Sequence, residues 1–244
     1  MAPTVAPTGI DPADWTRATG DWGDQDPRHP LPGYFPHDPA DWFSQHAAQR
    51  TMPGRGQARV VLVGDSLLAH WRAPAQAEVW ERCFAGCPAH VVAIPGDRTQ
   101  QLLWRIAHGA LDGLAPALVV LLAGVNNLWS GRQDDGQVAA GLAAVVAAIR
   151  TRLPKADVLH LGILPALEPA DHPVRRAAAR VNRAADPLSR AAGARFLDAG
   201  AAFVEADGRL SPVFLPDNVH LAPAGYARLA ALLHPHLAAL ARIP

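Results

Sequence analysis

The chain has 244 residues, half of them hydrophobic, which is enough for one large domain or for one domain with an appendage. Lysine plus arginine and aspartate plus glutamate each number 22, so the formal net charge is zero. A chain without net charge has no general attraction to polyanions. This balance argues against nucleic acid as a partner and against attraction to anionic lipid.

The first residues, Met1–Pro7, lack the basic segment followed by an apolar segment that is typical of a secretory signal. No apolar run approaches the length of about 18 residues that a membrane-spanning helix needs. We therefore predict no secretory signal, no membrane span and a cytoplasmic location.

Cys83 and Cys87 are too few for a disulfide framework and have no further thiols with which to bind zinc. We expect both to be packing residues. His234 and His236 have no nearby cysteine or acidic residues to complete a ligand set. The sequence therefore predicts no metal site.

Residues 1–55 differ from the rest of the chain because prolines interrupt any long helix or central strand. Aromatic side chains in this segment each need a place to bury a ring: Trp15, Trp22, Tyr34, Phe35, Trp42 and Phe43. We predict an irregular arm that packs on the following domain, with a short helix near Pro39–Gln49. A role in a homodimer contact or in a substrate cleft is left open.

Residues 56–244 alternate short apolar runs with longer segments of helical character. The predicted strands are Arg59–Val63, His90–Ile94, Ala117–Ala123, Asp157–Gly162 and Ala194–Leu197. The predicted helices are Pro74–Cys83, Thr99–His108, Gln137–Arg152, Pro173–Ala192 and Pro223–Leu240. Within the fourth helix, Asp186-Pro187 is expected to mark a kink or a restart.

Strands separated by helices of this length indicate right-handed βαβ units and a parallel sheet. The predicted fold class is α/β, a three-layer α/β/α sandwich with a flavodoxin-like five-stranded parallel sheet. In such sheets, ligands bind beyond the carboxyl ends of the strands. Polar residues that directly follow the strands are therefore the candidate functional residues.

Four strand ends carry such residues. Ser66 follows the first predicted strand, Gly96 the second and Asn126 the third. After the fifth strand, a long connection contains Asp217 and His220. Connections of this length in compact domains are usually functional or disordered.

These residue types together fit acyl transfer through a serine. A serine hydroxyl needs an adjacent base, and the base needs a carboxylate to orient it. Asp217 and His220 are three residues apart, so a turn or a helical start would place their side chains on one face. The Ser66 N–H, the Gly96 N–H and the Asn126 amide are the donors available for an oxyanion. Each residue by itself would also suit an ordinary turn, cap or surface pair.

The blocks Gly-Asp-Ser-Leu (64–67), Gly96, Gly-x-Asn (124–126) and Asp-x-x-His (217–220) resemble the GDSL/SGNH hydrolase superfamily. Within it, the sequence is most similar to the catalytic (alpha) subunits of platelet-activating-factor acetylhydrolases and their bacterial relatives. The blocks that carry this narrower likeness are Gly96-Asp97-Arg98-Thr99, Leu103-Trp104-Arg105, Gly162-Ile163-Leu164-Pro165, Val181-Asn182, Asp207-Gly208, His220-Leu221 and Gly225-Tyr226. The likeness extends over roughly residues 30–240.

The resemblance implies that Ser66 is the nucleophile, His220 the base and Asp217 its orienter. It also implies an oxyanion hole formed by Ser66, Gly96 and Asn126, and it implies no metal and no organic cofactor. The chain departs from the family at Pro95, where relatives commonly carry a small residue. Pro-Gly suits the centre of a type II turn, so we expect the Gly96 N–H to keep its role.

Leu67, Val125 and Val219 adjoin the serine, the asparagine and the histidine in sequence. If their side chains face the acyl group, they leave room for a short chain such as acetyl; one or more could instead face the core. Trp129 could stack on a sugar or an aromatic alcohol, or pack against the arm. Arg98 could meet an anionic leaving group or pair with a carboxylate.

The sequence therefore predicts a serine esterase (a GDSL/SGNH-type carboxylic ester hydrolase) that acts on short-chain esters of a small molecule. The alternatives are an acyltransferase that uses the same acyl-enzyme, a carbohydrate O-deacetylase, and a non-catalytic scaffold. The presence of Ser66, Asp217, His220, Gly96 and Asn126 together argues against the scaffold.

Overall fold

The structure, a computed structural model, describes Asp11, Ala13, Asp14, residues 26–33 and residues 38–240. The predictions for Trp15, Trp22, Tyr34 and Phe35 lie outside these residues, as do those for the first ten residues of the chain.

The described residues form a five-stranded sheet in which every pairing is parallel. The strands are β1 Val60–Gly64, β2 Ala89–Ala93, β3 Leu118–Leu122, β4 Asp157–Leu161 and β5 Arg195–Leu197. Their spatial order is β2-β1-β3-β4-β5, the flavodoxin-like order predicted from the sequence. Because the chain leaves β1 towards β2 and later returns to β3, a crevice opens at the carboxyl ends of β1 and β3.

Helices lie between and around the strands. They are α1 Pro39–Thr51, α2 Ser66–Ala69, α3 Ala77–Cys83, α4 Thr99–Ala107, α5 Val125–Ser130, α6 Asp135–Arg152, α7 Pro173–Ala191 and α8 Pro223–Leu240. The sequence did not predict α2 or α5, and the predicted helix Pro74–Cys83 is a 3₁₀ turn at Pro74–Gln76 followed by α3. Within the described ranges, no helix combines the length and the apolarity needed to cross a membrane.

Two hydrophobic cores, one on each face of the sheet, complete the three layers. Alternate residues of a strand face opposite sides, so Val61 and Val63 of β1 enter one core while Val60 and Leu62 enter the other. The first core contains apolar side chains of α4, α6 and α7, and the second those of α3 and α8. This two-sided burial explains why β1 and β3 are uninterrupted apolar runs.

Helix α1 joins the sheet domain through a smaller aromatic cluster. Its start is fixed by Asp38, whose carboxylate accepts a hydrogen bond from the Ala40 N–H at 2.8 Å, and by a proline in the first turn. Trp42 and Phe43 pack on Trp104, with ring centroids 5.2 and 5.5 Å apart. The predicted short helix near Pro39–Gln49 is confirmed.

Helix α7 corrects one sequence prediction. It continues from Pro173 to Ala191 with Pro187 inside it, so Asp186 does not begin a new helix. Pro187 lies on the exposed face, where the carbonyl that loses its hydrogen bond can be hydrated. Val181 and Ala185 remain buried against the core on the opposite face. Burial of this apolar stripe before the proline, and of Ser189 after it, keeps the helix intact.

Candidate active site

Ser66 stands at the carboxyl end of β1, as the first residue of α2. The turn requires Gly64, because a Cβ there would lie 2.1 Å from the Leu122 carbonyl oxygen of β3. Asp65 caps α2 by accepting a hydrogen bond from the Leu67 N–H at 3.0 Å. From the last helix, the Tyr226 hydroxyl donates to the Leu67 carbonyl at 2.9 Å. The serine is therefore held from both its strand and the far end of the chain.

Ser66, His220 and Asp217 form one hydrogen-bonded chain. The Ser66 Oγ lies 2.9 Å from His220 Nε2, and His220 Nδ1 lies 2.7 Å from Asp217 Oδ2. Because an ionised carboxylate only accepts, His220 donates to it through Nδ1–H, which leaves Nε2 to accept the serine proton. This is the arrangement in which an imidazole can remove a proton from a hydroxyl.

A tight turn positions Asp217 and His220. The other oxygen of Asp217 accepts the main-chain N–H groups of Val219 and His220, each at 2.9 Å. Asn218 between them adopts a left-handed conformation with φ 57°, which asparagine tolerates better than most residues. Burial by itself would raise the pKa of Asp217, but the hydrogen bonds from His220 and Val219 outweigh it and hold that pKa below its usual value. Asp217 is thereby kept ionised.

Gly96 occupies the turn that follows β2. Its φ is 81°, and the Asp97 N–H donates to the Ile94 carbonyl at 3.2 Å. A hydrogen bond across four residues with proline second and a glycine of positive φ third fits a type II turn, as the sequence predicted for Pro95-Gly96.

Asn126 lies in the first turn of α5, which follows β3. Its Nδ2 donates to the Asp97 carbonyl at 3.0 Å and makes a longer contact of 3.4 Å with Asp65 Oδ2. The carboxyl of Asp65 is fully buried; this burial, with the negative charge of Asp97, raises its pKa to about 7 even though the Leu67 N–H lowers it. Asn126 is thus tied to the residues that follow both Gly64 and Gly96.

A cleft of about 620 Å³ brings these groups together. It is lined by Ser66, His70, Pro95, Gly96, Arg98, Asn126, Trp129, Asp217, Val219 and His220. Every residue of the predicted triad and oxyanion hole is in this set. Trp129 is 44% exposed, so much of its indole is available to a ligand.

The three residues expected to bound the acyl group are placed differently from one another. Val219 lines the cleft, whereas Leu67 and Val125 are buried in the cores on opposite faces of the sheet. The core packing of Leu67 and Val125 follows from the short helices α2 and α5, whose phase the sequence did not reveal.

His70 belongs to the cleft although the sequence analysis did not single it out. Its ring centroid lies 4.9 Å from that of His220. Burial lowers the pKa of His70, the nearby charge of protonated His220 lowers it further, and Asp217 opposes both effects. The sequence could have identified His70 by its spacing from Ser66, because a residue four positions further along a helical turn returns to the same face.

In the part of the chain that the structure describes, no group of three or more histidine, cysteine, aspartate or glutamate residues could hold a metal ion. Cys83 and Cys87 are both free thiols, and burial raises the pKa of Cys83 to about 12. A thiol with so high a pKa is a poor nucleophile at neutral pH. Neither cysteine lines the cleft that contains Ser66.

Comparison with known proteins finds the same fold in solved structures. Among solved structures, a GDSL-like lipase from Bacteroides thetaiotaomicron matches with a TM-score of 0.61 and 22% identity, over 82% of this chain and 97% of that one. An acetyl-xylooligosaccharide esterase from Geobacillus matches with a TM-score of 0.57 and 20% identity, over 71% and 91% of the two chains. At these identities, the likeness shows the shared fold.

Curated relatives are closer in sequence. The platelet-activating factor acetylhydrolase IB subunit alpha2 of Homo sapiens is 33% identical over 210 residues, which cover 83% of this chain and 89% of that subunit. The alpha1 subunit of Bos taurus is 35% identical over 214 residues, covering 87% and 89%. Residues 62–228 match the GDSL-like Lipase/Acylhydrolase family, and this segment runs from β1 past His220. The chain belongs to that family and is a carboxylic ester hydrolase.

Proposed function

We propose that the chain hydrolyses short-chain, acetyl-type esters of a small molecule through an acyl-enzyme on Ser66. The observation that carries the proposal is the hydrogen-bonded chain from Ser66 through His220 to Asp217 at the wall of an open cleft. A serine paired with an oriented imidazole is the arrangement used for nucleophilic acyl transfer.

In the first half-reaction, Ser66 Oγ attacks the ester carbonyl carbon while His220 Nε2 takes the hydroxyl proton. The carbonyl oxygen becomes an oxyanion, which accepts hydrogen bonds from the Ser66 N–H, the Gly96 N–H and the Asn126 amide. Collapse of this intermediate breaks the bond to the alcohol oxygen, which leaves with the proton from His220. The acyl group remains on Ser66.

In the second half-reaction, water attacks the acyl carbon and gives its proton to His220. The tetrahedral intermediate collapses, Ser66 recovers the proton, and the carboxylic acid is released. Asp217 stays ionised throughout and stabilises the imidazolium that forms in each half-reaction. The partial exposure of His220 supports this step because solvent can reach the base.

Leu67 and Val125 pack into the cores, so of the three residues expected to bound the acyl group Val219 alone lines the cleft. The support for a short acyl group comes from the relatives. The relatives whose names state a reaction, an acetylhydrolase and an acetyl-xylooligosaccharide esterase, both act on acetyl groups by those names. We propose that the acyl group lies against Val219 and the leaving group extends towards Arg98 and Trp129.

Trp129 favours a second candidate, a carbohydrate O-deacetylase, because an exposed indole at the mouth of a cleft can stack on a sugar ring. An acyltransferase would use the same acyl-enzyme, and product analysis with an added acceptor alcohol separates it from a hydrolase. The homodimer and the cytoplasmic location predicted from the sequence stay predictions.

The test is a series of p-nitrophenyl esters from acetate to octanoate, assayed on wild type, on Ser66→Ala and on Ser44→Ala, an exposed serine outside the cleft. We expect turnover to be highest for acetate. Loss of the nucleophile should lower kcat roughly 10³–10⁶-fold, whereas Ser44→Ala should match wild type. Equal turnover by wild type and Ser66→Ala would refute the proposal, and highest turnover for octanoate would refute its acetyl preference.

A further inference from the structure

Directly behind the turn at Gly96 lies a buried pair of opposite charges. The Arg105 guanidinium of α4 donates to Asp97 Oδ2 at 2.9 Å, and both side chains are only 1% exposed. A buried ion pair adds little stability compared with well-packed apolar residues, because desolvation offsets the attraction. Its position next to the oxyanion hole points to a role in placing groups.

Helix α1, from the arm that precedes the sheet, completes the surroundings of this pair. The Trp42 indole N–H donates to Asp97 Oδ1 at 2.8 Å, so both carboxylate oxygens of Asp97 are occupied. Gln49 on the same helix bonds to Arg105 through its amide oxygen. Its amide nitrogen donates to the Ala93 carbonyl, at the end of β2, at 2.7 Å. The turn is therefore held from outside the domain at both of its ends.

The main chain of Asp97 carries this support to both proposed hole donors. Its N–H closes the turn that presents Gly96, by donating to the Ile94 carbonyl at 3.2 Å. Its carbonyl accepts the Asn126 amide at 3.0 Å. A shift of Asp97 would thus move the Gly96 N–H and the Asn126 amide relative to each other. Oxyanion stabilisation depends on donors held in place before the charge develops.

We propose that Trp42 and Gln49 of α1 are positioning residues that act through Asp97 and Arg105 to fix the spacing of the oxyanion-hole donors. The inference rests on the proposed function, since it assigns the hole to Gly96 and Asn126. It makes the N-terminal helix a working part of the active site. None of the four residues touches the reacting atoms.

The chain offers a matched pair of substitutions. Trp42→Phe removes one indole N–H that bonds to Asp97. Trp104→Phe makes the same change in the same aromatic cluster, where the buried Nε1 has no hydrogen-bond partner among the described residues. Both substitutions remove the same atoms from a buried indole, and the bond to Asp97 is present only at Trp42.

Two readouts separate positioning from structural support. The first is the division of the effect between kcat and KM for p-nitrophenyl acetate. The second is the dissociation constant of phenylboronic acid. When this compound binds, Ser66 Oγ bonds to boron and the hydroxyl proton passes to His220. The boron becomes tetrahedral, and one of its oxygens points to the oxyanion hole. Asn126→Ala, which deletes a donor outright, sets the upper limit of the kcat loss at roughly 10²–10³-fold.

We expect Trp42→Phe to lower kcat roughly tenfold with KM unchanged, and to raise the dissociation constant of phenylboronic acid by a similar factor. Trp104→Phe should change both by less than twofold. Equal effects of the two variants on kcat and on boronate affinity, or a Trp42→Phe effect on KM alone, would overturn the inference. If Trp42→Phe fails to fold, Gln49→Leu replaces it, with Gln45→Leu as its control, because Gln45 bonds only to exposed Asp41 among the described residues.

The Ser66→Ala assay distinguishes failure of the inference from failure of the proposed function. If Ser66→Ala keeps full activity, both the proposed function and the inference that rests on it are wrong. If activity depends on Ser66 while Trp42→Phe and Trp104→Phe behave alike, the inference alone fails.

Discussion

Gly96 and Asn126, on one side of the cleft, rest on buried charged groups, whereas His220 and Asp217, on the other, stand in an exposed connection. The side chains of Asp97 and Arg105 are 1% exposed, while those of His220 and Asp217 are 27% and 47% exposed. We call these the donor side and the base side. The donor side is held by contacts distant in sequence, and the base side by a local turn between Leu215 and His220.

The difference fits the roles that we propose for the two sides. Donors stabilise an oxyanion best when they need no reorganisation, so their support is buried and made of several hydrogen bonds. A base exchanges protons during each turnover, so access to solvent suits it. The comparison predicts that substitutions on the base side lower activity but not stability. Substitutions on the donor side should lower both.

The largest effect is expected on the base side. His220→Ala should lower kcat roughly 10³–10⁶-fold, because Ser66 loses its proton acceptor. The free energy of unfolding should change by less than about 0.5 kcal/mol, as for other partly exposed positions. Steady-state kinetics and urea unfolding measure the two, with exposed His29→Ala as the control. A kcat within tenfold of wild type, or a large loss of stability, would contradict the expected difference between the two sides.

A smaller effect, this time on stability, is expected on the donor side. Asp97→Ala leaves the Arg105 charge buried without its partner, which should lower the free energy of unfolding by about 3–5 kcal/mol. Asp112→Ala, which breaks an exposed ion pair with Arg152, should cost less than about 1 kcal/mol. Urea unfolding of the two variants gives the answer. Similar losses would mean that the buried pair has no special structural role.

The smallest effect concerns the pH dependence of stability. Asp65 precedes Ser66 in the chain and Asp217 is linked to Ser66 through His220, and the pKa values of the two carboxyls are shifted in opposite directions. Burial raises the pKa of Asp65 to about 7, so the folded state holds a proton that the unfolded state loses near pH 4. The Asp65 contribution to stability therefore falls as the pH rises from about 4 to about 7.

Asp65→Asn removes this titration, while the amide oxygen of the substituted side chain can still accept the Leu67 N–H. The free energy of unfolding of the variant minus that of wild type should increase by roughly 2–3 kcal/mol between pH 5 and pH 8, because wild type alone loses the Asp65 contribution. Urea unfolding at the two pH values measures it. If the two proteins differ in stability by the same amount at pH 5 and at pH 8, Asp65 does not titrate in this range. Asp65 would then not belong with the buried charged groups of the donor side.

The sequence predicted most of the fold, because buried parallel strands leave continuous apolar runs and their ends carry short polar motifs. Ser66, Gly96, Asn126, Asp217 and His220 line one cleft because parallel strands end at one edge of the sheet. The type II turn at Pro95-Gly96 was also predictable, since proline and glycine restrict the backbone locally.

What the sequence did not predict depends on contacts between distant segments. The orientation of Leu67 and Val125 depends on the phase of two short helices, and the continuity of α7 through Pro187 depends on packing against the core. The bond from Trp42 to Asp97 joins residues 55 positions apart, and no local pattern reveals it. Long-range polar contacts of this kind appear only in the folded structure.

The hydrogen bond between Ser66 and His220 spans 154 positions of the chain, and the Tyr226 hydroxyl of the last helix bonds to the residue after the serine. A nascent chain that has not yet reached residue 226 lacks the bond from Tyr226, and one shorter than 220 residues also lacks His220. The site proposed on Ser66 is therefore complete only when β1 and α8 have both been made, and turnover would report that these two elements have folded together.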